Sequence, residues 1–369
     1  MNAFLEIKDN NINEVLKDFF RNILENKFLD ALLIPLETPG GKTSMTLVTA
    51  PGMIVYANPL TPVMHINSAR IVSAMTGVTA SRKKVGVFLR SCEIRALIEL
   101  AKLKQATLEN LVIIGIDCLG TYPVKEYQEL KQKPDFMEEY LKSWGSDERI
   151  RNACQVCEYP IPVNAQIQIG LLGTDNHRGL LVKSEGSEGE KIIKGLGLSE
   201  CPDEELETRD KALTDFKTLK IKARNKFFEQ LSHEIVGQDK LLSVLSPCIG
   251  CHNCRVMCPI CYCKECFFDS ATFECEADQY LKWAEKKGAL KMPNDTLLFH
   301  LTRLNHMAVS CVGCGMCQEA CPHSIPVFNI FRLVGAQLQK QFDYVPGKDI
   351  TEEPPLTVFR ENELGEIGR

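Results

Sequence analysis

No run of the 369-residue chain approaches 18 uninterrupted apolar residues, so no membrane-spanning helix is expected. An excess of positive charge is missing as well. The 43 Lys and Arg are outnumbered by 48 Asp and Glu, for a formal net charge of -5. The basic stripe that marks a nucleic-acid binder is therefore not expected. The opening MNAFLEIKDNNINEVLKDFF has no basic stretch followed by an apolar one, so the expectation is a cytoplasmic protein without a secretory leader. What is present describes a folded chain: 44% hydrophobic and 25% charged residues, with length enough for two or more domains. The outlier is cysteine, at 17. An intracellular chain would not keep so many as disulfides, so metal is the first reading.

The cysteines are unevenly spread. Cys92, Cys118, Cys154 and Cys157 lie in the first half and Cys201 stands alone, while the other twelve fall after residue 247. Among these a string recurs: Cys248-Ile-Gly-Cys251-His-Asn-Cys254-Arg-Val-Met-Cys258-Pro259, then Cys311-Val-Gly-Cys314-Gly-Met-Cys317-Gln-Glu-Ala-Cys321-Pro322. Both are C-x2-C-x2-C-x3-C-P, the bacterial ferredoxin run, in which three thiolates wrap one [4Fe–4S] cube and the fourth ligates the other. The expected sets are Cys248, Cys251, Cys254 and Cys321 for one cluster, and Cys311, Cys314, Cys317 and Cys258 for the second. Zinc would suit an isolated C-x2-C pair, but not two complete runs each ending in Cys-Pro.

Between the runs lies an insertion of about fifty residues. Glu276–Lys287 and Asp295–Val309 read as amphipathic helices, the second through Leu297, Leu298, Leu301, Leu304 and Met307. Near its start, Cys261, Cys263, Cys266 and Cys275 do not form a ferredoxin run. A further metal, a substitute ligand and plain packing beside a cluster all stay open for them.

In the first half, Ile12, Val15, Leu16, Phe19, Phe20, Ile23 and Leu24 predict an amphipathic helix, and Ala31–Leu36 with Met45–Val48 a hairpin around Pro39-Gly40-Gly41. Gly41-Lys42-Thr43 is not a phosphate loop: the glycine required five residues earlier is Leu36, and a hairpin turn offers no helix N-terminus. From residue 85 the pattern is strand, helix, strand: Val85–Leu89, Glu93–Lys104 and Leu111–Ile116, which argues for parallel strands with a crossover helix. Cys92 and Cys118 follow the strands closely and so emerge at the sheet's carboxyl edge, where α/β proteins place their sites. With Cys154-Gln-Val-Cys157 they offer four thiolates, on three expected loops, for a third [4Fe–4S] cluster. A buried small hydrophobe is the plain reading of a lone cysteine, and a redox pair or half a zinc site that of C-x2-C. Cys201, in a charged stretch, reads as a free thiol. Arg209–Ile235 predicts one or two charge-rich helices whose stripe, Leu213, Phe216, Leu219, Ile221, Phe227, Phe228 and Leu231, packs internally. His252 and His323, within or beside the runs, are placed to tune a cluster through hydrogen bonds.

With these motifs on the page, the chain resembles the beta subunits of archaeal-type formate dehydrogenase and deazaflavin-reducing hydrogenase. The resemblance is carried by Leu89-Arg-Ser-Cys92-Glu-Ile-Arg-Ala-Leu-Ile-Glu-Leu100, Ile114-Gly-Ile-Asp-Cys118-Leu-Gly-Thr121 and Cys154-Gln-Val-Cys157-Glu-Tyr-Pro-Ile-Pro162. Cys258-Pro-Ile-Cys-Tyr-Cys-Lys-Glu-Cys266 and Phe342-Asp-Tyr-Val-Pro-Gly-Lys-Asp349 extend it, so that it runs from about residue 30 to residue 358. It implies an α/β flavin-binding domain with its own iron–sulfur cluster (1–200), a helical linker (201–240) and a two-cluster, bacterial-ferredoxin-like α+β domain with a Cys-rich helical insertion (241–369). It further implies FAD, with Arg90 and Arg95 as candidate contacts to the flavin or its carrier, and Cys92, Cys118, Cys154 and Cys157 as cluster ligands. The implied partners are a catalytic or electron-accepting redox subunit, of formate dehydrogenase alpha, hydrogenase or heterodisulfide-reductase type, and a deazaflavin or other hydride carrier.

Two segments depart from that family. Its Gly-Gly entry to the first helix reads Lys8-Asp-Asn-Asn-Ile-Asn-Glu14 here, and its basic-Pro-Cys element reads Arg90-Ser91-Cys92. Two functions follow. One is an electron-transfer subunit converting between clusters and a two-electron carrier through FAD. The other is a relay without a carrier site, delivering electrons directly to a partner. No molybdopterin or nickel motif is evident, so the chain is not expected to oxidise formate or hydrogen unaided.

Overall fold

The computed structural model describes residues 1–7, 11–143, 145–175 and 177–359. Its contacts divide the chain into two compact units. The first comprises Met1–Phe227 with Val312–Gly315 and Pro346–Pro354, and the second Phe228–Cys311 with Met316–Val345 and the remaining C-terminal residues.

The first unit runs β1 (Asn2–Glu6), α1 (Ile12–Glu25), β2 (Ala31–Glu37), β3 (Thr43–Val48), α2 (Ala69–Thr76), β4 (Val85–Arg90), α3 (Ser91–Lys102) and β5 (Leu111–Ile116). It continues with α4 (Val124–Leu130), α5 (Phe136–Ser143), α6 (Asn152–Gln155), β6 (Ile167–Gly170), β7 (Gly179–Ser184), α7 (Gly186–Gly195), β8 (Ser199–Glu200) and α8 (Asp203–Ile235), whose last turns lie beyond Phe227. The eight strands form one sheet in the order β3-β2-β4-β5-β6-β7-β1-β8. β2, β4, β5 and β6 are parallel neighbours, the pairing expected of a strand–helix–strand core. β3 closes the expected hairpin on β2, and β7, β1 and β8 extend the other side antiparallel. Gly41 sits in the hairpin turn at φ +69, with no helix following.

Burial explains the order. All six residues of β5 are buried, the pattern of a central strand covered on both faces. α1 is capped by the Asn11 side chain, which accepts from the Glu14 amide, and it buries Ile12, Leu16, Phe19, Phe20, Ile23 and Leu24 against the sheet. At Gly115 a Cβ would come within 2.3 Å of Pro162. Glycine there lets the segment after Cys157 run close over β5. One helix, α8, replaces the one or two expected. It is held to the carboxyl edge of the sheet by Arg209, whose guanidinium pairs with both oxygens of buried Asp117 at 2.6 and 2.9 Å. Its expected apolar stripe is only partly used: Phe216 is buried, Leu219 exposed.

The second unit contains α9 (Gln238–Leu245), α10 (Asn253–Val256), α11 (Ala277–Lys287), α12 (Thr296–Met307), α13 (Met316–Glu319) and α14 (Val327–Gln341). Among its described residues there is no strand, which corrects the α+β expectation. The segments flanking the cysteine runs, α9 and α14, carry apolar residues at helical spacing instead of alternation. The runs share a backbone pattern. The second and fourth residues after the first cysteine are left-handed (Gly250 and His252 at φ +66 and +55, Gly313 and Gly315 at +73 and +72), and a single helical turn follows.

α12 turns inward a side that shares only Met307, among its buried residues, with the stripe expected. Leu298 and Leu301 are exposed, while Phe299, His300, Arg303 and Met307 are buried. Both stripes satisfy the 3.6-residue period. The second wins because its polar members find buried sulfur and carbonyl partners, described next.

Candidate metal centres

In the second unit Cys248, Cys251, Cys254 and Cys321 line one cavity, together with Phe299, His300 and His323. These are the four residues expected to form the first ligand set. N–H donors point at the sulfurs: Gly250 N to Cys248 Sγ at 3.5 Å, Ile325 N to Cys321 Sγ at 3.4 Å, and Arg303 Nη1 to Cys254 Sγ at 3.0 Å. The left-handed backbone at Gly250 accompanies the first of these contacts. His300 Nε2 lies 3.5 Å from Cys248 Sγ, and burial, with Arg303 next, lowers its pKa to about 4. With Nε2 carrying the proton, the ring is placed to donate to the sulfur. His252 instead stacks on Phe299, ring centroids 4.2 Å apart, and meets Asp269 at 2.7 Å through Nδ1.

Burial pushes the Cys254 thiol up to about 11, and neighbouring Cys248, Cys321 and Cys251 add to the rise against the pull of Arg303. Four crowded thiols cannot all ionise without a cation among them, and a bound cluster supplies that charge. A cube takes its thiolates on separate iron atoms.

Of the second set, Cys258 and Cys317 lie near Arg303, and Gln339 Nε2 fixes the Cys311 carbonyl at 2.9 Å. Cys314 falls in the first unit. Of the four cysteines whose role stayed open, Cys263 is exposed and Cys261, Cys266 and Cys275 are half-buried. Burial raises the Cys261 thiol to about 11, with Cys258 adding to the rise and Arg303 opposing it. Cys201 is buried, and its thiol donates to the Pro202 carbonyl at 3.7 Å.

The first unit brings Cys92, Cys118, Cys154 and Cys157 to one cavity, also lined by Arg151, Tyr159, Phe216, Gly313 and Cys314. Only Cys118 and Cys157 lie outside helices. Cys92 is in the first turn of α3 and Cys154 in α6, which corrects the expectation of loops. At the start of α3 Glu93 accepts the Arg90 amide at 2.8 Å and the Ser68 amide at 3.0 Å. Burial first, then neighbouring acidic groups and thiols, pushes Cys92 well up, and burial with Cys154 raises Cys118 to about 12. Cys154 goes the other way. Burial opposes its ionisation, but Arg151, the Thr121 hydroxyl and the Thr121 amide (3.4 Å) outweigh it and lower its pKa.

Further cations surround this cavity. Lys220 inserts its ammonium into a ring of carbonyls at Gly145, Cys154 and Gln155, at 2.6 to 3.2 Å. Arg95 is buried. It donates to the Pro346 carbonyl at 2.8 Å and the Val312 carbonyl at 3.2 Å, and lies 3.9 Å over the Tyr159 ring. These contacts tether two returning segments, around Val312 and Pro346. Arg90 donates to the Thr61 and Val63 carbonyls. Lys220, Arg151, His300 and Arg303 were not singled out from the sequence. The signal that would have found the last two is the second helical stripe of α12.

A separate cavity of about 880 Å³ opens at the start of α1, bounded by Asn11, Asn13, Glu37, Asn58, Lys131 and Phe136, among others. Asn13 Oδ1 is buried there without a hydrogen-bond partner among the described residues. Lys8–Asn10, in the segment that departs from the Gly-Gly pattern, lie outside the described residues. An aromatic layer adjoins this cavity. Tyr122 contacts Phe136 and Tyr140, centroids 5.5 and 5.9 Å away, and Tyr140 donates to the carbonyl of Gly120, which lines the cysteine cavity.

Comparison with known proteins agrees with the sequence resemblance. The model of the 4Fe-4S dicluster domain matches residues 244–325. The F420-dependent formate dehydrogenase subunit beta of Methanocaldococcus jannaschii is 28% identical over 75% of this chain and 77% of its own length. The F420-dependent formate dehydrogenase 1 subunit beta of Methanococcus maripaludis is 29% identical over 74% and 75%. A solved structure of the F420-reducing NiFe hydrogenase complex from Methanosarcina barkeri covers 65% of this chain and 94% of its own, at 16% identity and a TM-score of 0.48. The chain thus carries a 4Fe-4S dicluster domain within a sequence similar, over three quarters of its length, to the beta subunits of F420-dependent formate dehydrogenases.

Proposed function

We propose that the chain is an iron–sulfur flavoprotein electron-transfer subunit of a multi-subunit oxidoreductase of formate dehydrogenase or hydrogenase type. The observation that carries this is the convergence of two separate cysteine quartets, each on its own cavity lined with N–H donors or buried cations. Cys248, Cys251, Cys254 and Cys321 would hold one [4Fe–4S] cluster and Cys92, Cys118, Cys154 and Cys157 another. Cys258, Cys311, Cys314 and Cys317 would hold a third. Clusters move single electrons while a flavin exchanges pairs, so the two together couple a one-electron chain to a hydride carrier.

The protein's own residues supply the electrostatics. Arg151 and Thr121 stabilise charge at Cys154, Arg303 does so at Cys254, and His300 is placed to donate to Cys248. For FAD, the cavity at the start of α1 falls within the usual volume for a ligand of that class, roughly 300–1,000 Å³. Asn13 offers it an unpaired acceptor, and the N-terminus of α1 favours a phosphate. The aromatic layer through Tyr122 and Tyr140 lies alongside the cysteine cavity.

The second reading, a relay without flavin, is favoured by one observation: glycine is missing from Lys8–Glu14, where a backbone would approach the pyrophosphate. Anaerobic purification with iron counted and flavin extracted decides between them. Near-stoichiometric FAD, followed by reduction of a deazaflavin carrier in the presence of the catalytic partner subunit, supports the first. Full iron without flavin leaves the relay.

A further inference from the structure

Arg303 is 3% exposed, halfway along a helix whose solvent side carries leucines. Its guanidinium forks onto Cys254, Nη1 to the Sγ at 3.0 Å and Nη2 to the carbonyl at 3.1 Å, and it also hydrogen-bonds the Cys261 side chain. The rings of Phe331 and Phe299, centroids 5.0 and 5.4 Å from Cζ, wall it from water. A buried guanidinium is costly unless matched by negative charge. The groups within electrostatic reach of this one are thiols: Cys254, Cys258, Cys317 and Cys261. Cys254 belongs to one expected ligand set, Cys258 and Cys317 to the other.

We propose that Arg303 is a shared counter-charge for the two ferredoxin-type clusters, bound to a ligand of the first and facing two ligands of the second, and that it raises both reduction potentials. The inference rests on the two-cluster reading above. Each reduction brings one electron from a partner redox subunit, takes up no proton and makes the cluster more negative, so a fixed, poorly screened positive charge favours the reduced form. One residue serving both clusters would move their potentials together. It would keep the hop between them nearly level while leaving each accessible to the partner's electrons. His300, hydrogen-bonded at Cys248, acts on one cluster alone. Arg303 is thus a positioning and tuning residue, in contact with the ligand sulfurs but not with the exchanged electrons.

The test is a potentiometric titration of the anaerobically purified full chain, followed by electron paramagnetic resonance, with iron counted in each sample. If the wild-type chain lacks the iron of these clusters, the two-cluster reading itself fails, separately from any effect of Arg303. With iron intact, Arg303→Gln is expected to lower the equilibrium constant for reducing each cluster about tenfold, about 59 mV for a one-electron couple. Arg303→Lys keeps the charge and loses the fork. It is expected to leave the Cys258/Cys317 cluster near its wild-type potential and to shift the Cys254 cluster. Unchanged potentials in Arg303→Gln, or a shift confined to one cluster, overturn the proposal. Should Arg303→Gln lose iron, Arg303→Lys carries the test: retained iron with a wild-type potential at the Cys258/Cys317 cluster supports the shared charge. Loss of iron in both variants, with helical content unchanged, means that Arg303 is only a packing element, and overturns it.

Discussion

The pair between Asp117 and Arg209 is the point at which the first unit's cysteine cavity is most open to perturbation from outside it. Asp117 follows β5 and immediately precedes Cys118. Its side chain is fully buried, receives both guanidinium nitrogens of Arg209, and accepts the Leu171 and Leu172 amides at 2.9 and 3.0 Å. Arg209 also donates to the Leu172 carbonyl at 2.6 Å. Asp117→Ala strands a buried guanidinium and orphans two amides, each worth about 1–3 kcal/mol. Breaking a buried pair from one side costs about 3–5 kcal/mol. Arg209→Met keeps the volume and leaves the carboxylate two N–H donors, so its cost should sit near the lower end, about 3 kcal/mol. Because about 1.4 kcal/mol is tenfold, hydrogen exchange at the Leu171 and Leu172 amides should quicken on the order of a hundredfold in Arg209→Met, and further in Asp117→Ala. Asp117→Ala combined with Arg209→Met should cost less than the two single changes together, with a coupling of about 2–3 kcal/mol. Exchange rising less than tenfold in both single variants, or additive effects in the double, would refute the account of α8 as an electrostatically anchored helix.

Other outcomes follow from particular residues. Cys154→Ser should reduce iron from about 12 to about 8 atoms per chain, the loss of one cube; iron analysis showing no loss removes Cys154 from the ligand set. Leu298→Glu with Leu301→Glu, on the outer side of α12, should change stability by no more than about 0.5 kcal/mol. Phe299→Ala should cost about 3–5 kcal/mol; denaturant titrations with the reverse ranking would restore the leucine stripe as the packed one. Hydrogen bonds from Arg149 hold Asp147 down at about 2, against an ordinary 3.8. Its contribution is therefore complete well above pH 4 and is lost as the pH falls from 4 toward 2. Asp147→Asn should flatten that limb of a pH-dependent melting curve, and an unchanged limb would show that the Arg149 pair is too screened to matter.

The legibility of this chain follows its chemistry. The ferredoxin runs were readable because a cube constrains spacing along the chain, and Cys92 and Cys118 because strand ends are predictable from apolar runs such as Val85–Leu89 and Leu111–Ile116. α1 and the β2–β3 hairpin were readable for the same reason: one period fits each. α12 has two stripes of equal period, and hydropathy chose the leucines. What turned it was the pairing of Arg303 with Cys254 and of His300 with Cys248, across 49 and 52 residues of sequence. Long-range partners of this kind leave no local trace. Lys220 is a similar case, a lysine in a charge-rich helix whose burial is set by carbonyls at Gly145, Cys154 and Gln155. The antiparallel side of the sheet was also hidden. β1 pairs with β7 about 180 residues away, and its five residues carry no decisive alternation.

The most direct test of the central claim is Mössbauer spectroscopy of ⁵⁷Fe-enriched protein purified without oxygen, with total iron and acid-labile sulfide measured on the same sample. The account predicts about 12 irons and about 12 sulfides per chain, all in cubane signatures. About 8 irons with the first-unit cysteines free to alkylate, or zinc in place of iron, would contradict it.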